Sequence, residues 1–244
     1  MNEKLVEVRD LTSGYEGKTV LKNIDMTAFK EQITTILGTS GCGKTTLLKN
    51  MIRLYEPWSG SIKLFGREIT AMEESEFNRL LEQTGVLFQN GALLNSITVA
   101  ENVAIPLEQH TVLSRELIDR LVKVKLALVD LDDALLLYPA QLSGGMRKRA
   151  SLARATVMDP PLLFCDEPSA GLDPVTSASM DRLIARLRDE LGMTVIIITH
   201  AVASIQRIAD RVIFLDAGEV LFSGTLQEAR TCGLEKIDRF FALG

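Results

Sequence analysis

The chain has 244 residues, 46% of them hydrophobic and 24% charged, with a formal net charge of −5. That length and apolar fraction suffice for one full core, while the acidic balance argues against nucleic acid as a ligand, which calls for a basic footprint. Three cysteines, Cys42, Cys165 and Cys232, form no disulfide framework and suit a reducing compartment, and no apolar run approaches the ~18–20 residues that span a bilayer.

In chain order, the opening Met1-Asn2-Glu3-Lys4 has no hydrophobic leader region. Val6 and Val8 alternate with Glu7 and Arg9, and Ile24, Met26 and Ala28 alternate likewise, which predicts antiparallel sheet with one buried face. Ile33-Thr34-Thr35-Ile36-Leu37 is a β-branched run bounded by glycine and reads as a buried strand. Gly38-Thr39-Ser40-Gly41-Cys42-Gly43-Lys44-Thr45 follows and fits G-x-x-x-x-G-K-[ST]; beyond it Leu47, Leu48, Met51 and Ile52 recur at helical spacing. A glycine-rich loop between a strand and a helix is the context in which this pattern holds phosphate. Gly38, Gly41 and Gly43 let successive N–H groups face phosphate oxygens, and Thr39, Ser40, Cys42 and Thr46 complete the candidate ATP loop. Lys44 is suited to reach the β- and γ-phosphates and Thr45 to ligate magnesium. Cys42, beside a helix N-terminus, reads either as a small filler or as an activated thiol.

Gln89 follows the apolar Val86-Leu87-Phe88. From about Gly91 to Asp159 the spacing is helical: Ala100 to Val103 begins one helix, and Leu117, Leu121, Val124 and Leu128 make an apolar stripe on another. Leu142-Ser143-Gly144-Gly145-Met146 opens a basic helix, with Ser143 as N-cap and Met146, Ala150, Ala153 and Val157 as its apolar stripe. Arg147, Lys148 and Arg149 read as its solvated face, and Pro160 stops it. With no side chains at Gly144 and Gly145, a phosphate could approach the first-turn N–H groups, where the dipole favours negative charge. Leu162 to Cys165 is an uncharged run ending in Asp166-Glu167-Pro168. Acids at the end of a buried strand fall where open α/β folds bind ligands. Asp166 suits a magnesium shell, and Glu167 a general base that polarises water. A second such strand, Val195 to Ile198, leads into Thr199-His200; Arg211 to Leu215 and Glu219 to Phe222 flank Asp216-Ala217-Gly218 and read as a hairpin. Only a short tail ending in Phe240-Phe241 follows, and no appended regulatory domain is expected.

These motifs in this order resemble the ABC transporter ATPases over nearly the whole chain. The resemblance implies an α/β fold: a P-loop NTPase (RecA-like) core, an antiparallel β subdomain and an inserted α-helical subdomain at about 91–159, within one ATP-binding domain over 1–244. It implies an ATPase that uses ATP and Mg2+ and dimerises around the nucleotide. Each copy then offers its loop to one ATP and, in trans, Ser143, Gly144, Gly145 and Asp173 to the other. Residue by residue, Tyr15 resembles the aromatic that stacks on adenine, and Gln89 the glutamine that senses magnesium and the attacking water beside the permease groove. Asp166 resembles the magnesium-shell acid, Glu167 the base, and His200 the histidine at the γ-phosphate. Met146 departs from the family's usual glutamine, which leaves the role of Ser143 and the backbone N–H groups intact.

The same resemblance implies a separate permease and a peripheral position on the cytoplasmic side of the inner membrane. The stretch from Phe88 to Leu107, together with Met146, is similar to the ATPases of Mla/Mce-type transporters, which move phospholipids or other hydrophobic molecules between the inner membrane and the outer envelope. An Mce-type lipid-binding protein is then a further partner. An importer ATPase for amino acids or metal chelates shares most of that stretch, and a soluble iron–sulfur-assembly ABC ATPase is the alternative without a permease. Within Gln89 to Pro106, the apolar Ala92, Leu93, Leu94, Ile97 and Val99, with Asn90, Asn95 and Glu101, predict a groove for a permease helix, while Ile97 and Val99 suit the packing of the helical subdomain equally well.

Overall fold

The computed structural model describes residues 3–242, so Met1 and Asn2 of the opening segment lie outside them. Strands β1 (Lys4–Tyr15) and β2 (Lys18–Phe29) lead into β3 (Ile33–Gly38) and helix α1 (Lys44–Met51). Strands β4 (Ser59–Leu64) and β5 (Arg67–Glu68), helix α2 (Glu74–Leu81) and strand β6 (Thr84–Leu87) follow. Three helices come next: α3 (Val99–His110), α4 (Arg115–Leu128) and α5 (Gly144–Thr156). Then β7 (Leu162–Asp166), α6 (Pro174–Leu191), β8 (Thr194–Ile198) and α7 (Val202–Ile208) alternate. The described chain ends in β9 (Arg211–Asp216), β10 (Glu219–Thr225), α8 (Leu226–Thr231) and α9 (Glu235–Ala242).

Two sheets organise these elements. The first is antiparallel in the order β2-β1-β4-β5; the second runs β10-β9-β3-β8-β7-β6. Within the second, β9, β3, β8, β7 and β6 pair in parallel and only β10 is antiparallel, joined to β9 by a two-residue turn in which Ala217 and Gly218 both have positive φ. Burial explains the difference in sequence pattern: β3, β7 and β8 are covered on both faces and read as continuous apolar runs, while β1 and β2 alternate. One core fills the space between the antiparallel sheet, α1 and one face of the parallel sheet; a second lies between the opposite face and helices α3 to α6. A third holds the tail: Ile237 is fully buried against Leu37 and Phe214, and Phe240 meets Phe214 edge-on at 5.5 Å. The tail is therefore two helices, which its short apolar spacing did not announce.

Two helix faces differ from the sequence expectation. In α4 the buried side is Ile118, Val122 and Leu126, with Lys125 paired to Asp159, while Leu117, Leu121 and Val124 are exposed. Both stripes satisfy helical spacing, and periodicity alone cannot say which one faces α3 and α5. In α5 the expected apolar stripe holds, with Ala150, Ala153 and Val157 buried and Met146 packed against them. The expected solvated face holds only in part: Arg147 is exposed and Arg149 half-buried, but Lys148 is only 8% exposed. Arg147 donates to the Leu142 carbonyl at 2.7 Å, and Arg149 to the Val129 carbonyl and to Ser179 Oγ, both at 2.8 Å. Each of the three nonetheless donates to a nearby backbone carbonyl.

Candidate active site

The parallel strands end at one edge, and the loops leaving β3, β6, β7 and β8 meet there. They enclose a cleft of about 890 Å³ lined by Tyr15, the phosphate loop, Gln89, Glu167 and His200. Of the loop residues, Gly38, Thr39, Ser40, Gly41, Gly43, Lys44, Thr45 and Thr46 all face it. Gly43 shows why the loop needs glycine. It enters α1 with φ 103°, and a Cβ there would lie 2.5 Å from Leu21 Cδ2. Behind it the first N–H groups of α1 have no side-chain cap and remain available to an anion. Lys44 Nζ lies across the loop, donating to the Gly38 carbonyl at 3.0 Å and the Thr39 carbonyl at 2.9 Å.

Cys42 turns away from the cleft. It is buried in the core beneath the loop, with Sγ 3.8 Å from Lys44 Nζ. Of the two readings, the geometry matches the small filler, and a bulky thiol reagent has no direct path to it.

Acidic residues sit at the end of β7. Asp166 is 6% exposed, and its Oδ1 has no hydrogen-bond partner. Burial, followed by the neighbouring Glu167 charge, raises its pKa, and Lys148, Lys49 and Lys44 oppose that rise. Glu167 is held in the left-handed region at φ 49°, a conformation that costs a non-glycine residue roughly 1 kcal/mol or more. Its N–H donates to the Ile198 carbonyl at 2.8 Å. Its carboxylate takes Thr199 Oγ1 at 3.1 Å on one oxygen and meets His200 Nδ1 at 2.7 Å on the other. His200 itself is largely exposed into the cleft.

The orphaned, buried Asp166 oxygen is what a cation shell would use; Asp166 itself does not line the cleft, but its chain neighbour Glu167 does, together with the oxygens of Thr45 and Gln89. Among the described residues no cluster of three or more His, Cys, Asp or Glu could cage a metal alone. This donor set fits magnesium, which keeps several waters and is held through one or two protein carboxylates together with substrate phosphates.

Ser143, Gly145 and Asp173 lie outside this cleft. Ser143 Oγ accepts from Met146 N at 3.2 Å and caps α5; Asp173 Oδ1 accepts from Val175 N at 3.0 Å and Thr176 N at 3.1 Å and caps α6. Gly144 instead lines a separate cavity of about 250 Å³ with Gln89, Asn90, Gly91, Arg147 and Lys148. The fold thus separates the candidate residues into a set that shares one cleft and a set that does not. Sequence reading missed the apolar wall of Val20, Ile198, Val202 and Phe240. Phe240 carried no signal beyond its place in an aromatic pair at the tail. Missed too was Lys148, which donates to the backbone carbonyls of both Gln89 and Glu167.

Among the described residues no helix is long and apolar enough to cross a membrane. A family model described as ABC transporter matches residues 21–170. The chain is 39% identical over 228 residues to the intermembrane phospholipid transport system ATP-binding protein MlaF of Haemophilus influenzae, covering 93% of this chain and 86% of that one. It is 43% identical over 197 residues to the methionine import ATP-binding protein MetN 1 of Pseudomonas putida, covering 81% of this chain and 59% of that longer one. Its fold superposes, at a TM-score of 0.83 and 28% identity, on a dimeric post-hydrolysis state of the ATP-binding cassette MJ0796 bound to ADP and Pi, over 91% of this chain and 99% of that one.

Proposed function

The chain belongs to the ABC transporter family and is an ATP-hydrolysing subunit that uses ATP with Mg2+, and from that premise we propose that it energises transport of phospholipid or another hydrophobic molecule across the bacterial envelope in an Mla/Mce-type system. The similarity to MlaF extends over 93% of the chain. The observation that carries the lipid reading is the stretch from Phe88 to Leu107 combined with Met146 in place of glutamine after Ser143-Gly144-Gly145. The similarity to a methionine importer favours a second reading, an ATPase for amino-acid uptake.

In the proposed mechanism, Tyr15 stacks on adenine at the mouth of the cleft. Lys44 leaves the Gly38 and Thr39 carbonyls to meet the β- and γ-phosphates, and the loop amides from Gly38 to Thr46 surround them. Thr45, Asp166 and Gln89 would hold Mg2+, which would offset phosphate charge. Glu167 takes the proton of the attacking water, after exchanging one of its two present partners for that water. His200, freed from Glu167 Oε1, turns its ring nitrogen toward the γ-phosphate. Ser143, Gly144, Gly145 and Asp173 lie outside their own cleft, which supports their use on a nucleotide held by a second copy. The unit at work is then a dimer of two single-domain subunits of residues 1–244, each with its helical part at about 91–159. It sits on the cytoplasmic side of the inner membrane against separate permease subunits, with an Mce-type lipid-binding protein beyond them.

The test is purification of the tagged chain from detergent-solubilised membranes. Co-purification of a permease and an Mce-domain protein, with ATPase stimulation by phospholipid, is the expected result. A permease accompanied by an amino-acid-binding protein and stimulation by methionine selects the importer reading. Recovery of the chain with iron–sulfur assembly proteins and no permease rejects both.

A further inference from the structure

Lys148 has the geometry of a tie rather than of a surface charge. It lies on the second turn of α5, 8% exposed, and its ammonium donates to the Gln89 carbonyl and, at 3.0 Å, to the Glu167 carbonyl. An ammonium has three donors and no acceptor, so one buried group can satisfy two carbonyls that belong to different loops. Those loops leave β6 and β7, which are neighbours in the parallel sheet. Both backbone groups of Glu167 are thereby held: its N–H donates to the Ile198 carbonyl, and its carbonyl accepts from Lys148 and, at 3.2 Å, from the Ala170 N–H. This is where the backbone adopts the strained φ of 49°. A conformation of that kind persists only when its surroundings over-determine it.

The contact is part of a row. Positions 148, 151 and 154 fall on one face of α5 and follow the loop from Gln89 to Ala92. Ser151 is packed so closely on Gly91 that a Cβ at Gly91 would lie 2.4 Å from Ser151 Oγ. Arg154 donates to the Gly91 carbonyl at 2.9 Å and to the Ala92 carbonyl at 2.7 Å. Two cations of a single helix therefore hold the carbonyls of Gln89, Gly91 and Ala92, and Ser151, whose hydroxyl donates to the Arg147 carbonyl, packs against Gly91.

We propose that Lys148 is a positioning residue that locks the Gln89 loop and the Glu167 backbone to α5, so that base and glutamine keep a fixed relation during turnover. The proposal rests on Glu167 and Gln89 acting as described above.

The test compares Lys148→Met, which keeps the apolar stem and loses every donor, with Lys148→Arg, which keeps charge and donors. In the purified full chain, hydrogen exchange of the amides at 88–92 should accelerate by about tenfold or more in Lys148→Met and return toward wild type in Lys148→Arg. ATP affinity should stay within about threefold while kcat falls by about tenfold or more, because the effect is on alignment and not on the phosphate loop. In a Gln89→Ala background the further kcat loss from Lys148→Met should shrink, since both changes disable one arrangement. Unchanged exchange at 88–92 with unchanged kcat overturns the proposal, as do fully additive kcat losses. A collapse of the melting temperature in Lys148→Met that Lys148→Arg does not restore overturns it as well, by reducing Lys148 to core support. If Glu167→Gln retains full turnover, the base assignment fails by itself, and the exchange comparison still decides whether Lys148 ties the loop.

Discussion

Replacing Glu167 with glutamine isolates the chemical step from binding. Both carboxylate oxygens are engaged, Oε1 with His200 Nδ1 at 2.7 Å and Oε2 with Thr199 Oγ1 at 3.1 Å. Glutamine keeps one acceptor and the same shape, and loses the charge and the basicity. The fold should not suffer. The Glu167 charge is the second cause of the raised Asp166 pKa, so neutralising it relieves a repulsion at the end of β7. The chemistry should suffer directly: a positioned base contributes about 10²–10⁴-fold. At about 1.36 kcal/mol per decade, that corresponds to roughly 2.7–5.4 kcal/mol of barrier. Steady-state phosphate release at saturating ATP and Mg2+ measures the loss, and equilibrium nucleotide binding should be unchanged. With hydrolysis blocked, gel filtration in ATP and Mg2+ should show a dimer. Turnover within about tenfold of wild type would refute the base assignment, and a monomer under those conditions would refute the trans use of Ser143.

Three further outcomes follow from the geometry. Lys44→Ala should weaken ATP binding by an isolated monomer, whereas Ser143→Ala should leave that binding intact and lower turnover; equal binding losses in the two variants would remove the cross-subunit role. In chelator, Asp166→Asn should raise the melting temperature at neutral pH. Burial lifts the Asp166 pKa in the folded state, so its ionised form penalises folding increasingly as pH rises through that folded pKa, and the advantage of asparagine should vanish below about pH 3.9. A difference constant across pH would contradict this. Leu94 is half exposed while Leu93 packs against the helical core. Leu94→Glu should therefore fold and bind ATP but fail to assemble with the permease, and Leu93→Glu should lose about 2 kcal/mol or more of stability, read as a melting shift of several degrees.

Sequence reading succeeded where one local pattern has one structural outcome. The run from Ile33 to Leu37, the glycine loop and the spacing of Leu47 to Ile52 leave few alternatives to strand, turn and helix, and the structure has β3, the loop and α1 there. The hairpin around Ala217-Gly218 was legible for the same reason. The failures share a different cause. On α4 both the Leu117 stripe and the Ile118 stripe have helical spacing, and only packing against α3 and α5 selects the second. Lys148 looks like any surface lysine until the fold brings the Gln89 and Glu167 carbonyls to it from 59 and 19 residues away. Val99 was open between groove and core, and it is fully buried. Glu101, expected at the groove, is exposed and also closes a capping box with Thr98, a local role the groove expectation did not include. The site's inner wall was illegible in principle, because Val20, Ile198 and Phe240 are unremarkable apolar residues from distant segments.

The position of α5 gives these separate observations a common physical basis. Its first turn presents Ser143 and the glycine amides to the outside of the chain, its second turn holds Lys148, and its third holds Arg154 on the Gly91 and Ala92 carbonyls. From Ser143 to Lys148 the helix rises only about 7.5 Å. A hydrogen-bonded helix does not stretch over that distance, whereas a loop would absorb the same displacement by small changes of φ and ψ. Any shift imposed on the first turn by a phosphate from a second copy therefore reaches Lys148 nearly undiminished, and with it the Gln89 and Glu167 carbonyls. In the other direction, a force on the exposed Leu94 region enters through Gly91 and Ala92, the carbonyls that Arg154 holds. The same short helix thus joins the expected dimer face, the expected permease face and the backbone of Glu167, the proposed base. Basic side chains suit that duty better than apolar ones, because a charge-assisted hydrogen bond fixes direction as well as distance.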